Sequence, residues 1–422
     1  MANGPVSIVI VGIGGMGSVY VRELLDNRND DVFRIVGAVD PEPERCPQAA
    51  KLRSLGIPIV PTLEEFYREG SAKLAVIASP IQFHCRQVCQ ALAGGSHVLC
   101  EKPAAATIQE VREMFAADVT SGRWISVGYQ WSFSSAVQEL KKDIIAGAFG
   151  RPKRLKCLYL WPRDEAYYRR NGWAGRKRDT GGDWVLDSPA QNAMAHDLHN
   201  MFYVLGRERA ASAVPVEVEA ELYRANPIEN YDTAAMRAVT ADGVEVLFYA
   251  THASRDDKGP VFAYEFEKAD VFCASRTSGI WAVTADGERK DYGVPDAEPM
   301  VKLWQAVKDT RKGAVPACGI EAALSQTLCV NGMQDSMPEV REFPEGMRKV
   351  RMDNGSRRIW AEGLDEALEA CYEANALPSE LGFAWSAKGR RIKLGTQYQF
   401  PSAESGESDE GGEPHEPGEP AG

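Results

Sequence analysis

Five groups of residues in this 422-residue chain have types and spacings that can do chemistry. The first is Gly12-Ile13-Gly14-Gly15-Met16-Gly17. It follows the apolar run Val6 to Val11 and opens a helical stretch, the setting in which a GxGxxG turn binds a dinucleotide. Gly12 allows the tight turn, Gly14 lets the backbone approach a pyrophosphate, and Gly17 lets helix and strand pack. The anion sits on the helix N-terminus, where unpaired N–H groups and the dipole favour negative charge. The second group is Asp40, 23 positions after the last glycine, whose carboxylate suits ribose hydroxyls and repels a 2′-phosphate; NAD is favoured over NADP, with Arg45 nearby to soften the rule. The third is Ser79-Pro80 with His84, at the end of another apolar run; ligands of open α/β sheets bind at such carboxyl ends. A plain helix-start role for His84 is the alternative. The fourth is Glu101-Lys102-Pro103, where a buried lysine with a shifted pKa can polarise a hydroxyl or carbonyl oxygen. The fifth is His196, the side chain whose ordinary pKa suits a proton acceptor.

The elements that must position these groups read as alternating strands and helices as far as Gly128. Strand-like runs at 6–11, 33–39, 57–60, 74–78, 97–100 and 124–128 are separated by helical patterns at 18–27, 63–68, 83–93 and 108–118. That alternation predicts a parallel, doubly wound Rossmann sheet over residues 1–128. After Gly128 the texture changes. A helix at 134–146 is followed by period-two runs at 154–161, 216–223, 234–240, 244–251, 261–267 and 271–273. They predict an α+β domain over 129–400 with a large, open, mostly antiparallel sheet. Helices are expected at 192–205, 300–312, 320–336 and 358–376, extended chain at 341–353, and a terminal strand at 390–400. Residues 401–422, acidic and rich in Gly, Pro and Ser, are expected to be a disordered tail.

A polar, aromatic loop, 162–183, runs into the His196 region. With its flanks it holds Trp161, Arg163, Tyr167, Tyr168, Arg169, Arg170 and Trp173. Aromatic faces suit sugar C–H faces and arginine donates to hydroxyls or carboxylates, so Trp161, Arg163 and Trp173 are candidate substrate contacts. Domain packing or a subunit interface is the alternative. His252, on a sheet strand, is a further candidate facing the cleft, or else a sheet histidine without a ligand.

GIGGMG, Asp40, Ser79-Pro80 with His84, Glu101-Lys102-Pro103 and Val127-Gly128-Tyr129-Gln130 together resemble the Gfo/Idh/MocA oxidoreductase family, over roughly residues 5–400. The resemblance implies that Lys102 is the central catalytic residue beside the nicotinamide and that Gln130 lies near nicotinamide or substrate. It also implies that the second domain supplies substrate contacts, and that dimers or tetramers form through that domain's sheet. An open face without helices would support such assembly. The family's second motif is a Gly-Gly pair, an Asp, and a His four residues later in a helix ending at Gly. Counted back from Gly206, His196 takes the histidine position. Asp187 is then nine residues away, Asn192 stands four before the histidine, and His199 stands where an Asp is often found. Asp187 is a candidate to reach the site from the turn, with Asn192 a partner on the same helix face as His196; helix capping is the alternative for both. In this scheme His196 takes the hydroxyl proton and Lys102 holds the oxygen.

Composition narrows the classes. A net charge of −12 argues against nucleic acid and anionic membrane surfaces as partners. No apolar run is long enough for a bilayer and the start lacks a signal-peptide pattern, so a cytoplasmic address is expected. Nine scattered cysteines without a CxxC suggest reduced thiols and no metal site. The expected function is NAD-dependent hydride transfer to or from a secondary hydroxyl of a sugar, glycoside or cyclitol. The alternatives are glycoside cleavage through transient oxidation by tightly held NAD, and a non-catalytic sugar or dinucleotide sensor.

Overall fold

The computed structural model describes residues 4–353 and 355–402. The expected 403–422 portion of the tail lies outside them. Alternation in the first third of the chain becomes β1 (Val6–Val11), α1 (Gly15–Asp26), β2 (Phe33–Val39), α2 (Ala49–Ser54), β3 (Ile59–Val60), α3 (Leu63–Glu69), β4 (Leu74–Ile77), α4 (His84–Ala93), β5 (His97–Cys100), α5 (Ile108–Ser121) and β6 (Ile125–Val127). The six strands form a parallel sheet in the order β3-β2-β1-β4-β5-β6. Period-two geometry divides β1 between two cores: Ile8 and Ile10 pack with Tyr20 and Leu24 of α1, while Val9 and Val11 face Val88 of α4 and Val111 of α5. The order reverses between β1 and β4, which opens a crevice at their carboxyl ends.

Next come α6 (Ser135–Ile145), β7 (Pro152–Leu160), the single-turn helix α7 (Glu165–Arg169), α8 (Ala195–Val204), β8 (Pro215–Arg224), β9 (Thr233–Thr240), β10 (Glu245–Thr251), β11 (Lys258–Phe266), β12 (Ala269–Cys273), β13 (Ile280–Thr284), β14 (Arg289–Gly293), α9 (Val301–Lys312) and α10 (Ile320–Ser336). The chain ends with β15 (Arg341–Glu342), β16 (Arg348–Asp353), β17 (Ser356–Ala361), α11 (Leu364–Ala374) and β18 (Ile392–Lys393). Ten of these strands make a second sheet, ordered β14-β13-β12-β11-β7-β10-β9-β8-β15 with β18 also on β8. It is antiparallel except at β7–β10 and β8–β15. The fold class expected from the sequence is the one observed.

Two local expectations are corrected. Residues 358–361, read as the start of a helix, belong to β17, which pairs with β16 as a hairpin; the helix begins only at Leu364, after Gly363 turns the chain with φ +77°. The expected terminal strand at 390–400 shrinks to Ile392–Lys393. One face of the second sheet is partly covered, because Leu364, Leu368 and Cys371 of α11 pack on Leu158, Leu247 and Tyr249.

α9 crosses between the two halves. It lies beyond the second sheet in sequence, yet Leu303, Ala306 and Val307 pack in the core formed by Ile8, Ile10, Leu74 and Leu99 of the first. No helix among the described residues is long and apolar enough to cross a membrane.

Candidate active site

A cleft of about 1790 Å³ runs from the glycine turn to the loop after β7. That exceeds a typical small-ligand pocket of ~300–1,000 Å³ and leaves room for a dinucleotide and a second molecule. On one wall the recognition groups are main-chain. Gly12 has φ +76°, and a Cβ there would stand 2.7 Å from the backbone of Ser79. A Cβ on Gly17 would stand 1.7 Å from the Gly12 carbonyl oxygen, so Gly17 serves packing and does not line the cleft. Gly14 and Gly15 have nothing within 4 Å of an added Cβ and line the cleft with Met16. The N-terminus of α1 has neither a capping side chain nor an acidic residue in its first turn. This cradle, with its N–H groups and positive dipole end, fits a pyrophosphate.

Asp40 is oriented by two backbone N–H groups, Ile13 to Oδ2 at 2.9 Å and Glu42 to Oδ1 at 2.8 Å. Ile13 is buried; its share in the site is that N–H. Asp40 lines the cleft, so its remaining lone pairs fit ribose hydroxyls. Arg45 lies at the same rim, ion-paired with Glu42 at 2.5 Å.

Ser79, Pro80 and His84 also border the cleft. His84 is 2% exposed, with ring nitrogens 3.0 Å from the Pro103 carbonyl and 2.9 Å from that of Ser79. Burial lowers its pKa against the pull of those carbonyls, and the ring lies between the turn after β4 and the turn carrying Lys102. Glu101 points into a buried network: its Oε1 accepts from Tyr20 at 2.5 Å and from Lys302 of α9. Burial alone would raise this carboxyl, but Lys302 beside it holds it below the usual range.

Lys102 donates from Nζ to the Asn192 carbonyl at 2.6 Å and to Asn192 Oδ1 at 3.1 Å. Burial lowers it to about 8; Glu101 opposes that shift and Lys302 reinforces it. Asn192 Nδ2 donates to Asp187 Oδ1 at 2.8 Å, and Asp187 Oδ2 accepts from the Gly175 N–H at 2.7 Å with Arg170 at 3.5 Å. A polar chain thus runs Arg170–Asp187–Asn192–Lys102. It has a local backbone cause. Leu186, just before Asp187, is left-handed at φ +51°. Pro189–Ala193 forms a π-type turn capped by Ser188, and α8 starts only at Ala195. The expectation that Asn192 and His196 share one helix face is therefore corrected, and the widened turn frees the Asn192 carbonyl for Lys102.

His196 lines the same cleft, edge-on to Tyr129, with no hydrogen-bond partner at Nδ1. Burial, then the charges of Lys102 and Lys302, push it well below its ordinary value, so the ring is neutral. His199 is stacked on Tyr129 in the core with Ser132 Oγ at 3.0 Å. Gln130 lines the cleft between the two halves.

The opposite wall is made of side chains: Trp161, Arg163, Tyr167, Arg170, Trp173 and Arg276. The Arg163 guanidinium stands 3.6 Å from the centre of the Trp161 ring and 4.7 Å from that of Tyr167. His252 does not join this wall. It is 2% exposed behind Tyr167, with Nδ1 2.7 Å from the Trp161 carbonyl, so its tie is to the backbone of β7's end.

Several cleft residues escaped the sequence reading, with Asp197, Arg276 and Lys302 among them. Asp197 follows His196 directly and is raised to about 7 by burial. Its one signal was adjacency to a candidate histidine. Arg276 sits in the turn between β12 and β13, and Lys302 is 201 positions from its partner Glu101. Neither has a local pattern that marks it. Away from the cleft, Cys85, Cys89 and Glu113 bring donor atoms within 4.8 Å of one another.

A glycine cradle at a Rossmann switch point, facing a lysine across from a second, open sheet, defines a dinucleotide-binding oxidoreductase architecture. Residues 6–129 match the family model described as oxidoreductase family, NAD-binding Rossmann fold, and residues 137–272 match that for the GFO/IDH/MocA C-terminal domain. The chain belongs to the Gfo/Idh/MocA oxidoreductase family. It is 25% identical over 208 residues to an inositol 2-dehydrogenase of Burkholderia cenocepacia (strain HI2424), covering 49% of this chain and 56% of that protein. It is 29% identical over 201 residues to the rhizopine catabolism protein MocA of Rhizobium meliloti, covering 47% and 57%. The chain thus spans little more than half the length of these curated relatives. Among solved structures, the WlbA dehydrogenase from Bordetella pertussis in complex with NADH and UDP-GlcNAcA aligns with TM-score 0.63 at 20% identity, covering 78% of this chain and 97% of that one. The myo-inositol 2-dehydrogenase from Lactobacillus plantarum aligns with TM-score 0.60 at 16% identity, covering 79% and 97%. At these identities the likeness is one of fold.

Proposed function

We propose that this protein transfers a hydride between a nicotinamide dinucleotide and a secondary hydroxyl of a sugar, glycoside or cyclitol, with NAD preferred over NADP. The observation that carries the reading is Lys102: a lysine lowered to about 8 and held by Asn192 in the same cleft as the glycine cradle. The names of the relatives, an inositol 2-dehydrogenase and a dehydrogenase crystallised with UDP-GlcNAcA, support a polyhydroxylated substrate. NAD preference rests on Asp40, and on Arg45 being engaged by Glu42.

When bound, the nicotinamide supplies the hydride acceptor for alcohol oxidation. Lys102 in its neutral form takes the hydroxyl proton; a base near 8 is matched to neutral solution. Burial and the charges of Lys102 and Lys302 weaken His196 as a base, so this reading gives the proton to Lys102 and the orienting of the hydroxyl to His196. Asn192 aims the Lys102 amine, and Asp187 fixes the Asn192 amide. Trp173 offers an apolar face to the C–H side of a ring, while the Trp161 ring backs Arg163 and Arg276.

The test is absorbance of reduced nicotinamide in purified protein given NAD and a panel of sugars, glycosides, sugar acids and inositols. The expected result is signal growth with one class, lost in Lys102→Ala. A flat trace across the panel with NAD bound would overturn the reading.

A further inference from the structure

We propose that the substrate carries a carboxylate, and that Arg163 and Arg276 hold it above Trp161. This rests on the hydride-transfer reading for its substrate and on the following geometry. Both guanidinium groups stand over the Trp161 ring, at 3.6 Å and 4.0 Å from its centre. Trp161 is itself stacked on Tyr159, with ring planes 2° apart, so the platform is rigid. Tyr159 accepts a hydrogen bond from Arg276 Nε, which fixes that guanidinium. Among the described residues, neither arginine has a carboxylate within 4.0 Å. Other part-buried arginines do: Arg237 faces Glu245 and Glu380, Arg154 faces Glu245 and Glu265, and Arg358 faces Asp353.

Two neighbouring cations without a counter-ion are unfavourable in a partly dry cleft. Each raises the cost of the other, and Arg163 Nε is buried with no hydrogen-bond partner. The acidic groups near them do not neutralise the pair. Asp197 is close enough to feel Arg276 but burial leaves it near 7, and Asp296 accepts from Trp131 Nε1 at 2.9 Å. Asp187 is engaged by Asn192 and Gly175. The cluster is therefore complementary to an anion arriving with the ligand. A planar carboxylate matches the guanidinium fork. A phosphate dianion, with twice the charge, would meet stronger repulsion from Asp187 and Asp296, which line the same cleft. His196 senses the charges of both Lys102 and Arg276, so the anion site and the reacting site are close neighbours.

The experiment compares kcat/KM with NAD for glucuronate and galacturonate, for glucose and galactose, and for glucose 6-phosphate. The expected ratio of acid to neutral parent is at least about 10, and it falls about 10- to 100-fold in Arg163→Gln and in Arg276→Gln, mainly through KM. Lysine at either position restores part of the ratio. Arg169→Gln, at an exposed arginine paired with Glu165 outside the cleft, leaves the ratio unchanged. A ratio near one, a preference for the phosphate, or equal losses on acid and neutral substrates overturns the proposal while leaving hydride transfer intact. If no sugar is turned over although NAD binds, the hydride-transfer reading fails on its own. Calorimetry with glucuronate then decides the carboxylate site: binding lost in both glutamine variants supports it, and no binding to the unaltered protein overturns it.

Discussion

Along the cradle wall, formed by β1, α1 and the end of β4, contact groups are backbone N–H atoms exposed by missing side chains. Across the cleft, Trp161, Arg163, Tyr167, Arg170 and Arg276 present long side chains stacked on one another. The first wall can accept one kind of ligand, because its shape is set by φ values and close approaches that only glycine allows. The second is set by rotamers, and changing one residue changes what it fits. On the proposed reading, one wall holds the cofactor and the other selects the substrate. Lys102 sits between them, on a turn of the first half but held by Asn192 of the second.

The largest test of that division is Lys102→Met. It should lower hydride transfer about 10³-fold while NAD affinity stays near that of the unaltered protein, read by single-turnover absorbance and by calorimetry. If affinity fell equally, the boundary between the walls would be drawn wrongly. Next is Gly17→Ala, whose Cβ meets the Gly12 carbonyl. A loss of about 3 kcal/mol in stability is expected, with a lower Tm and weaker NAD binding, because the cradle is backbone. Asp40→Ala should weaken NAD about 10-fold and narrow its advantage over NADP, measured by titration with each cofactor. Trp161→Ala, on the other wall, should raise KM for substrate about 3- to 10-fold and leave NAD binding alone.

The smallest effect concerns pH. With Lys102 lowered to about 8, its ammonium predominates below that value, so kcat/KM for oxidation should rise with pH and level off above about 8. The negative charge of Asp187 favours the ammonium. In Asp187→Asn the ammonium is less favoured, and the limb should move to lower pH by less than about one unit. A limb moving upward would show that the aspartate acts on Lys102 other than by charge.

The two walls also differ in how far the sequence revealed them. Glycines, Asp40 and the Glu101-Lys102-Pro103 turn act within a few residues of a strand end, and such local requirements leave a readable spacing. The parallel sheet was legible for the same reason, since each βα unit is a local pattern. The side-chain wall depends on which distant strands become neighbours. Arg276 reaches Trp161 only because β11 lies beside β7, and β12 beside β11, in the second sheet. His252 read as a ligand candidate from its strand, yet it lies off the cleft with Nδ1 against the Trp161 carbonyl. Asn192 and His196 had helical spacing, but Pro189 after Ser188 supports a wider turn that periodicity alone does not reveal. Residues 358–361 were misread as helix because the alternating Ser356–Ala361 run is short and runs almost directly into an amphipathic helix.

α9 has a consequence for how such a molecule can be taken apart. It leaves the second sheet, fills the core under β1, β4 and β5, and delivers Lys302 to Glu101. A fragment ending at Gly128 would therefore expose Ile8, Ile10 and Leu99 to water and strand a buried carboxylate. The nucleotide half is not a portable cassette. Recombination that exchanges substrate halves between relatives has to carry α9 with the first sheet, or supply a replacement that brings its own cation to the same carboxylate.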